Sequence, residues 1–345
     1  TLRSRAAGLL GGSAGGAAGR PMSASRRSAR PASASGHGRR RVVPAWDDIG
    51  FVQQMGQATA QQDQPAIRAL LKSVSRSNYD LTRSCYSREV PRTVRVSSSD
   101  ARQRVQGHGR EPRYSISGLG TGDALLLLAR QLAPAGRTVC ALNFANGQHI
   151  GGGYLTGASA QEEELCRQFP TLYTSLKGAA DFAGGYPFGP STLRGPGDPG
   201  GYADVLLTGG QGGGLVARRA NRAQGYRILD EDTEVLDNIT LVSAAAPNVK
   251  QREVFDAGLV RQAMRTIMVA PRLHDRRVDA IVLGAWGCGA FGCDPHVMAQ
   301  LFAEVLVQDG LGRLYREVHF AIPPSENADA FEQTLTRAGL NLRRS

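Results

Sequence analysis

Acidic residues are missing from the first 44 positions of this 345-residue chain, and almost nothing there could be buried. The same stretch holds Arg3, Arg5, Arg20, Arg26, Arg27, Arg30, Arg39, Arg40 and Arg41, nine of the eleven excess positive charges of the sequence. The remainder is therefore nearly neutral, and global charge does not point to DNA or RNA. Cysteine is scarce: Cys85, Cys140, Cys166, Cys288 and Cys293 are odd in number and include no Cys-x-x-Cys pair, which argues against a disulfide framework and a zinc site. Six scattered histidines form no His-Glu-x-x-His cluster, so neither metal nor cofactor is expected. No apolar run approaches the length of about 18 residues that a membrane span needs. No Gly-x-Gly-x-x-Gly opens a helix after the first strand, which leaves a dinucleotide-dependent oxidoreductase with little support.

What is present suffices for a large core, since 41% of residues are hydrophobic. Residues 1–44 have the composition of a disordered or targeting segment, consistent with an organellar address or with a plain tail on a nuclear or cytoplasmic protein. Residues 45–113 read as an accessory helical region covering the sheet, with Ile67, Leu70, Leu71 and Val74 spaced for an amphipathic helix and no evident chemistry. From Tyr114 onward strands and helices alternate, the pattern of an α/β fold with a mixed sheet flanked by helices. Strands are expected at Arg113 to Ser117, Thr138 to Phe144, Asn238 to Ala244, Ala280 to Leu283 and Glu317 to Ile322. Helices are expected at Asp123 to Leu132, Gln161 to Leu176, Arg261 to Val269 and Pro295 to Val307, the last capped by Asp294. A Gly/Pro-rich stretch at about 184–225 reads as a flexible surface insertion within the domain 114–345.

Two segments carry the chemistry. In the first, a buried strand ends at Asn143 and Asn146, Gly151, Gly152 and Gly153 follow, and a helix then opens on Gln161-Glu162-Glu163. Consecutive glycines let a backbone lie flat against a sugar or phosphate with its N–H groups turned inward. Acids in a first helical turn also complement the macrodipole, so the cluster by itself has an ordinary structural explanation. The second segment runs from a strand through Gly284, Gly287, Cys288, Gly289, Ala290, Phe291 and Gly292 into a capped helix, a geometry that holds a diphosphate on backbone N–H groups. Phe291 could stack on a ribose or base, or fill the core beneath the loop. Two such loops at the carboxyl ends of separate strands imply a nucleotide-like ligand.

The combination resembles the microbial-type poly(ADP-ribose) glycohydrolases, whose pattern is three glycines, a short spacer and Gln-Glu-Glu. Here the spacer is residues 154–160. The run through Leu165-Cys166-Arg167, the segment Ser243-Ala244-Ala245-Ala246-Pro247-Asn248 and the Gly284 to Gly292 loop follow in the family's order, so that the resemblance spans roughly Tyr114 to Ile322. It implies a macrodomain-like fold and hydrolysis of ribose–ribose bonds, with Glu163 as catalytic acid/base and Glu162 holding ribose hydroxyls. Asn146 and Asn143 would contact the terminal ribose, and Gly287 to Gly292 would wrap the diphosphate. The partners it implies are poly(ADP-ribose) or ADP-ribosylated proteins, acted on by a monomer without direct DNA or membrane binding. A non-catalytic ADP-ribose reader is the alternative, and the Gln161-Glu162-Glu163 triplet discriminates against it. Gly118 to Gly122 departs from the family, so no adenine contact is assigned there.

Overall fold

The computed structural model describes residues 45–345 except 103–104, 106, 183, 190–202, 219 and 228–234. The targeting or disordered segment expected at 1–44 lies outside the described residues.

Helices α1 (Asp48–Ala60) and α2 (Gln64–Cys85) open the described chain, with Asp47 and Asp63 accepting from Gly50 and Ala66 N–H as N-caps. They are followed by β1 (Thr93–Val96), β2 (Arg113–Ser117), α3 (Thr121–Leu132) and β3 (Thr138–Phe144). Then come α4 (Gln161–Gln168), α5 (Leu172–Phe182), β4 (Val205–Gly209), the short pair β5 (Leu215–Val216) and β6 (Val235–Leu236), and β7 (Ile239–Ala244). The chain ends with α6 (Ala257–His274), β8 (Val278–Leu283), α7 (Pro295–Ala303), β9 (Glu317–Ala321), α8 (Glu326–Arg337) and β10 (Leu342–Arg344).

Eight strands form one mixed sheet in the order β1-β4-β7-β3-β8-β9-β2-β10. Strand β4 runs antiparallel to both its neighbours, and the remaining pairs are parallel. Period-two alternation divides the sheet residues between two cores. Cys140, Leu142, Ile281 and Leu283 face a cluster built with α6, α7 and α8, whereas Val139, Ala141, Ala280 and Val282 face one built with α3, α4 and α5. A buried central sheet leaves the carboxyl ends of β3, β8 and β9 as the place where loops can assemble a site.

Three expectations need correction. The single helix expected over Gln161 to Leu176 is two, because Pro170 has no N–H to donate and drives Phe169 to φ −115°, ψ 86°. The glycine-rich stretch is not a surface excursion throughout: Val205 to Thr208 are buried and form most of β4, while Gly209 and Gly210 take φ of +92° and +62° to turn the chain out of the sheet. Glycine count masked a buried apolar run of strand length. The accessory region is also more than a cover, since β1 joins the sheet edge and α2 packs on α4 and on the single turn Tyr154–Thr156.

Candidate active site

Glu162 and Glu163 sit in the first turn of α4, which has no side-chain cap, so their carboxyls lie close to its N–H end. Both side chains are nonetheless buried, at 2% and 6% exposure. The glycines make this possible. A Cβ at Gly152 would fall 2.6 Å from Glu163 Oε1 and 3.1 Å from Glu162 Oε2, and Gly152 also needs φ +56°. With no side chain in the way, the Gly153 N–H donates to Glu163 Oε1 at 2.7 Å. The other oxygen, Glu163 Oε2, is buried without a hydrogen-bond partner.

Glu162 is held by both its oxygens: Oε1 accepts from Asn143 Nδ2 at 3.3 Å and Oε2 from the Asn146 N–H at 2.8 Å. Burial raises its pKa to about 8, the charge of Glu163 adds to the rise, and the bonds from Asn146 and Asn143 oppose it. Gln161 is a clamp. It accepts from the Phe144 N–H at 2.8 Å and donates to the Leu142 carbonyl at 2.8 Å and to Thr121 Oγ1 at 3.0 Å, tying α4 to the end of β3 and the start of α3.

All of this faces one cavity of about 1560 Å³, lined by Asn146, Gly152, Gly153, Gln161, Glu162 and Glu163 on one side and by Gly287, Gly289, Ala290 and Phe291 on another. Asn143, Gly151, Cys288 and Gly292 are not among its lining residues. Asn143 is fully buried and divides its amide hydrogens between Glu162 and Ser243, which makes it a support for Glu162 rather than a wall of the cavity. Gly151 gives room to Tyr173, whose Cδ2 would lie 2.8 Å from an added Cβ, and Gly292 gives room to Lys250. Cys288 points its thiol toward the Trp286 carbonyl, 3.5 Å away.

The 284–292 loop is anchored from beneath. Trp286 is fully buried and donates to the Ala244 carbonyl at 3.0 Å. Gly287, at φ +79°, leaves no space for a Cβ between Ala246 and Cys293. Among the described residues the N–H groups of Gly287, Gly289, Ala290 and Phe291 donate no hydrogen bond, an arrangement suited to anionic oxygens. Asp294 caps α7 as expected, accepting from the His296 and Val297 N–H groups.

Residues 55–184 match the family model described as the microbial-type PARG catalytic domain. Over that span the chain is similar to microbial-type PARG catalytic domains. The match begins inside α1 and so extends into the region read as accessory. The poly(ADP-ribose) glycohydrolase of Thermomonospora curvata has a TM-score of 0.60 to this chain at 24% identity, covering 77% of this chain and 100% of that one. Its form bound to the inhibitor ADP-HPD gives 0.59 at 25%, over 77% and 99%. The Deinococcus radiodurans glycohydrolase in complex with ADP-ribose gives 0.55 at 22%, over 71% and 94%. No curated protein sequence matches the chain.

Several residues that line the cavity escaped sequence reasoning. Val52, Met55, Gly56, Thr59 and Ala60 of α1 line the cavity, as do Asp123, Asn221 and Arg222, and the Ile322-Pro323 turn with Ser325 and Asn327. The last group follows the carboxyl end of β9, where α/β sheets place ligands, and that rule could have found it. Behind α4 lies a support that the sequence did not announce. Asn78 of α2 donates to the Cys166 and Arg167 carbonyls, each at 3.0 Å, and to the Tyr154 hydroxyl at 3.1 Å. Its own oxygen accepts from the buried Arg218 at 2.8 Å.

Proposed function

We propose that this chain hydrolyses the ribose–ribose O-glycosidic bonds of poly(ADP-ribose), releasing ADP-ribose, with Glu163 as general acid/base. The observation that carries this is Glu163 Oε2, a buried carboxyl oxygen without a partner on the wall of a cavity, beside a carboxyl whose oxygens are both engaged. A polar atom buried without a partner is costly, and a substrate oxygen brought to it removes the cost.

Glycosidic cleavage needs a proton delivered to the departing oxygen as the anomeric C–O bond breaks. Glu163 Oε2 supplies that proton, and the charge spreads over an oxocarbenium-like ribose. The carboxylate left behind then takes a proton from water as the water oxygen bonds to the anomeric carbon, which restores the acid. Adjacent residues on one helix do not flank a bond, so the two-carboxylate geometry of ordinary glycosidases is not used. Glu162, fixed by Asn143 and Asn146, offers its remaining lone pairs to the ribose hydroxyls. The free N–H groups of the 287–291 loop take the diphosphate and position the bond without touching it.

Labelled polymer incubated with the wild-type chain and with Glu163→Gln tests the reading. Release of ADP-ribose by the wild type and its loss in the variant are expected. Binding without hydrolysis by the wild type would make the protein a reader instead.

A further inference from the structure

The cavity is larger than one ligand requires. Sites for single small molecules hold roughly 300–1,000 Å³, against about 1560 Å³ here. The lining beyond the Glu162 and Glu163 carboxyls, termed the lobe below, comprises residues of α1, Glu164 and Gln168 of α4, and the turn at 221–223.

Its charges are unequally committed. Asp123 accepts from Gln168 and Asn221, one bond to each oxygen. Glu164 likewise accepts from Arg167 at one oxygen and from the Tyr226 hydroxyl at the other. Arg222 is half-buried on the same wall, forms no ion pair among the described residues, and reaches only Met55 Sδ, 3.3 Å away. A guanidinium is strongly suited to bidentate contact with phosphate, and a thioether is a poor substitute. Beside it, Val52, Met55 and Ala60 of α1 add apolar lining. That lining is fixed, because Phe51 packs edge-on to Tyr226 with ring centroids 5.6 Å apart and Trp46 Nε1 donates to the Gly225 carbonyl at 2.8 Å. Gly56 faces open space in this lining: a Cβ there would meet nothing within 4 Å.

The geometry points to a second subsite, in which Arg222 holds the pyrophosphate of the ADP-ribose unit on the leaving side of the scissile bond while its adenosine lies against α1. This rests on the function proposed above, and it makes α1 a determinant of polymer recognition.

The test compares two substrates: poly(ADP-ribose), and ADP-ribose bearing a small aryl leaving group at the scissile anomeric carbon, which lacks the pyrophosphate and adenosine that the lobe would hold. Wild-type chain, Arg222→Ala, Arg222→Lys and Gly56→Leu are assayed on both. The ratio of kcat/KM for polymer to that for the aryl substrate should fall about tenfold or more in Arg222→Ala, as expected for a lost charge-assisted contact. Gly56→Leu fills the lobe while replacing a helix-weakening glycine, so it should lower the same ratio without loss of folding. Arg222→Lys should retain part of it. An unchanged ratio in both Arg222→Ala and Gly56→Leu overturns the subsite. Absence of wild-type hydrolysis on either substrate overturns the underlying function instead.

Discussion

The Gly153 N–H fastens one oxygen of Glu163, at 2.7 Å, and leaves the other free inside the protein. A single backbone amide thus determines which face of the carboxyl meets the cavity. Replacing Glu163 with Gln keeps an oxygen for that amide and removes the exchangeable proton. Hydrolysis should fall by about 10²–10⁴, the usual worth of a general acid/base, while calorimetric affinity for ADP-ribose changes little. Wild-type rates in the variant would remove Glu163 from the mechanism.

Gly152 makes the companion prediction. A methyl group at this position would meet Glu163 Oε1 at 2.6 Å and strain a backbone held at φ +56°. Gly152→Ala should therefore push the carboxyl off the Gly153 amide and lower kcat by at least tenfold. The strain itself should destabilise the fold by about 1 kcal/mol. A urea titration beside the rate measurement separates the two effects, and an unchanged kcat in a destabilised variant would show that the carboxyl has not moved.

How much of this was legible in the sequence follows from what each element depends on. β2 and β3 lie where their apolar residues and flanking breaks set them, and β7, β8 and β9 differ from expectation only at their ends. β4 was hidden by the glycines beside it, and β10, Leu342-Arg343-Arg344, is a short charged edge strand with almost no apolar signal. Within the site, Glu163 and the Gly287 to Phe291 loop were visible because their spacing is local. Arg222, Met55 and Asn78 were not, because their roles arise from long-range packing between α1 or α2 and residues more than 75 positions away.

Burial of Glu162 has a consequence for stability. Its pKa rises on folding from 4.5 to about 8, so between those values the folded protein holds a proton that the unfolded chain has released. The contribution is complete below pH 4.5 and is lost as pH rises through about 8. Glu162→Gln removes this dependence. The amide oxygen can accept from Asn146, and a turned Asn143 amide can offer its partnerless oxygen to the new NH₂ group. Unfolding free energies from urea titrations at pH 5 to pH 8 should fall more steeply in wild type than in Glu162→Gln, by a difference on the order of a few kcal/mol across the range. Parallel curves would mean that Glu162 is ionised throughout.

Asn78 tests whether α2 belongs to the catalytic fold. Its side chain joins two α4 carbonyls, the Tyr154 hydroxyl and the Arg218 guanidinium. Arg218 is fully buried, and loss of solvent lowers its pKa to about 10, so any acceptor removed from it leaves a cation short of solvation. Asn78→Ala should cost about 2–4 kcal/mol of unfolding free energy. Asn78→Asp puts a carboxylate beside Arg218 but removes the donors to Cys166 and Arg167, and so separates the two functions of the residue. If the donors to α4 matter for catalysis, Asn78→Asp should lower kcat with KM nearly unchanged even at temperatures where circular dichroism shows it fully folded. Were kcat to stay at the wild-type value in the folded variant, the network behind α4 would be a stabilising feature only.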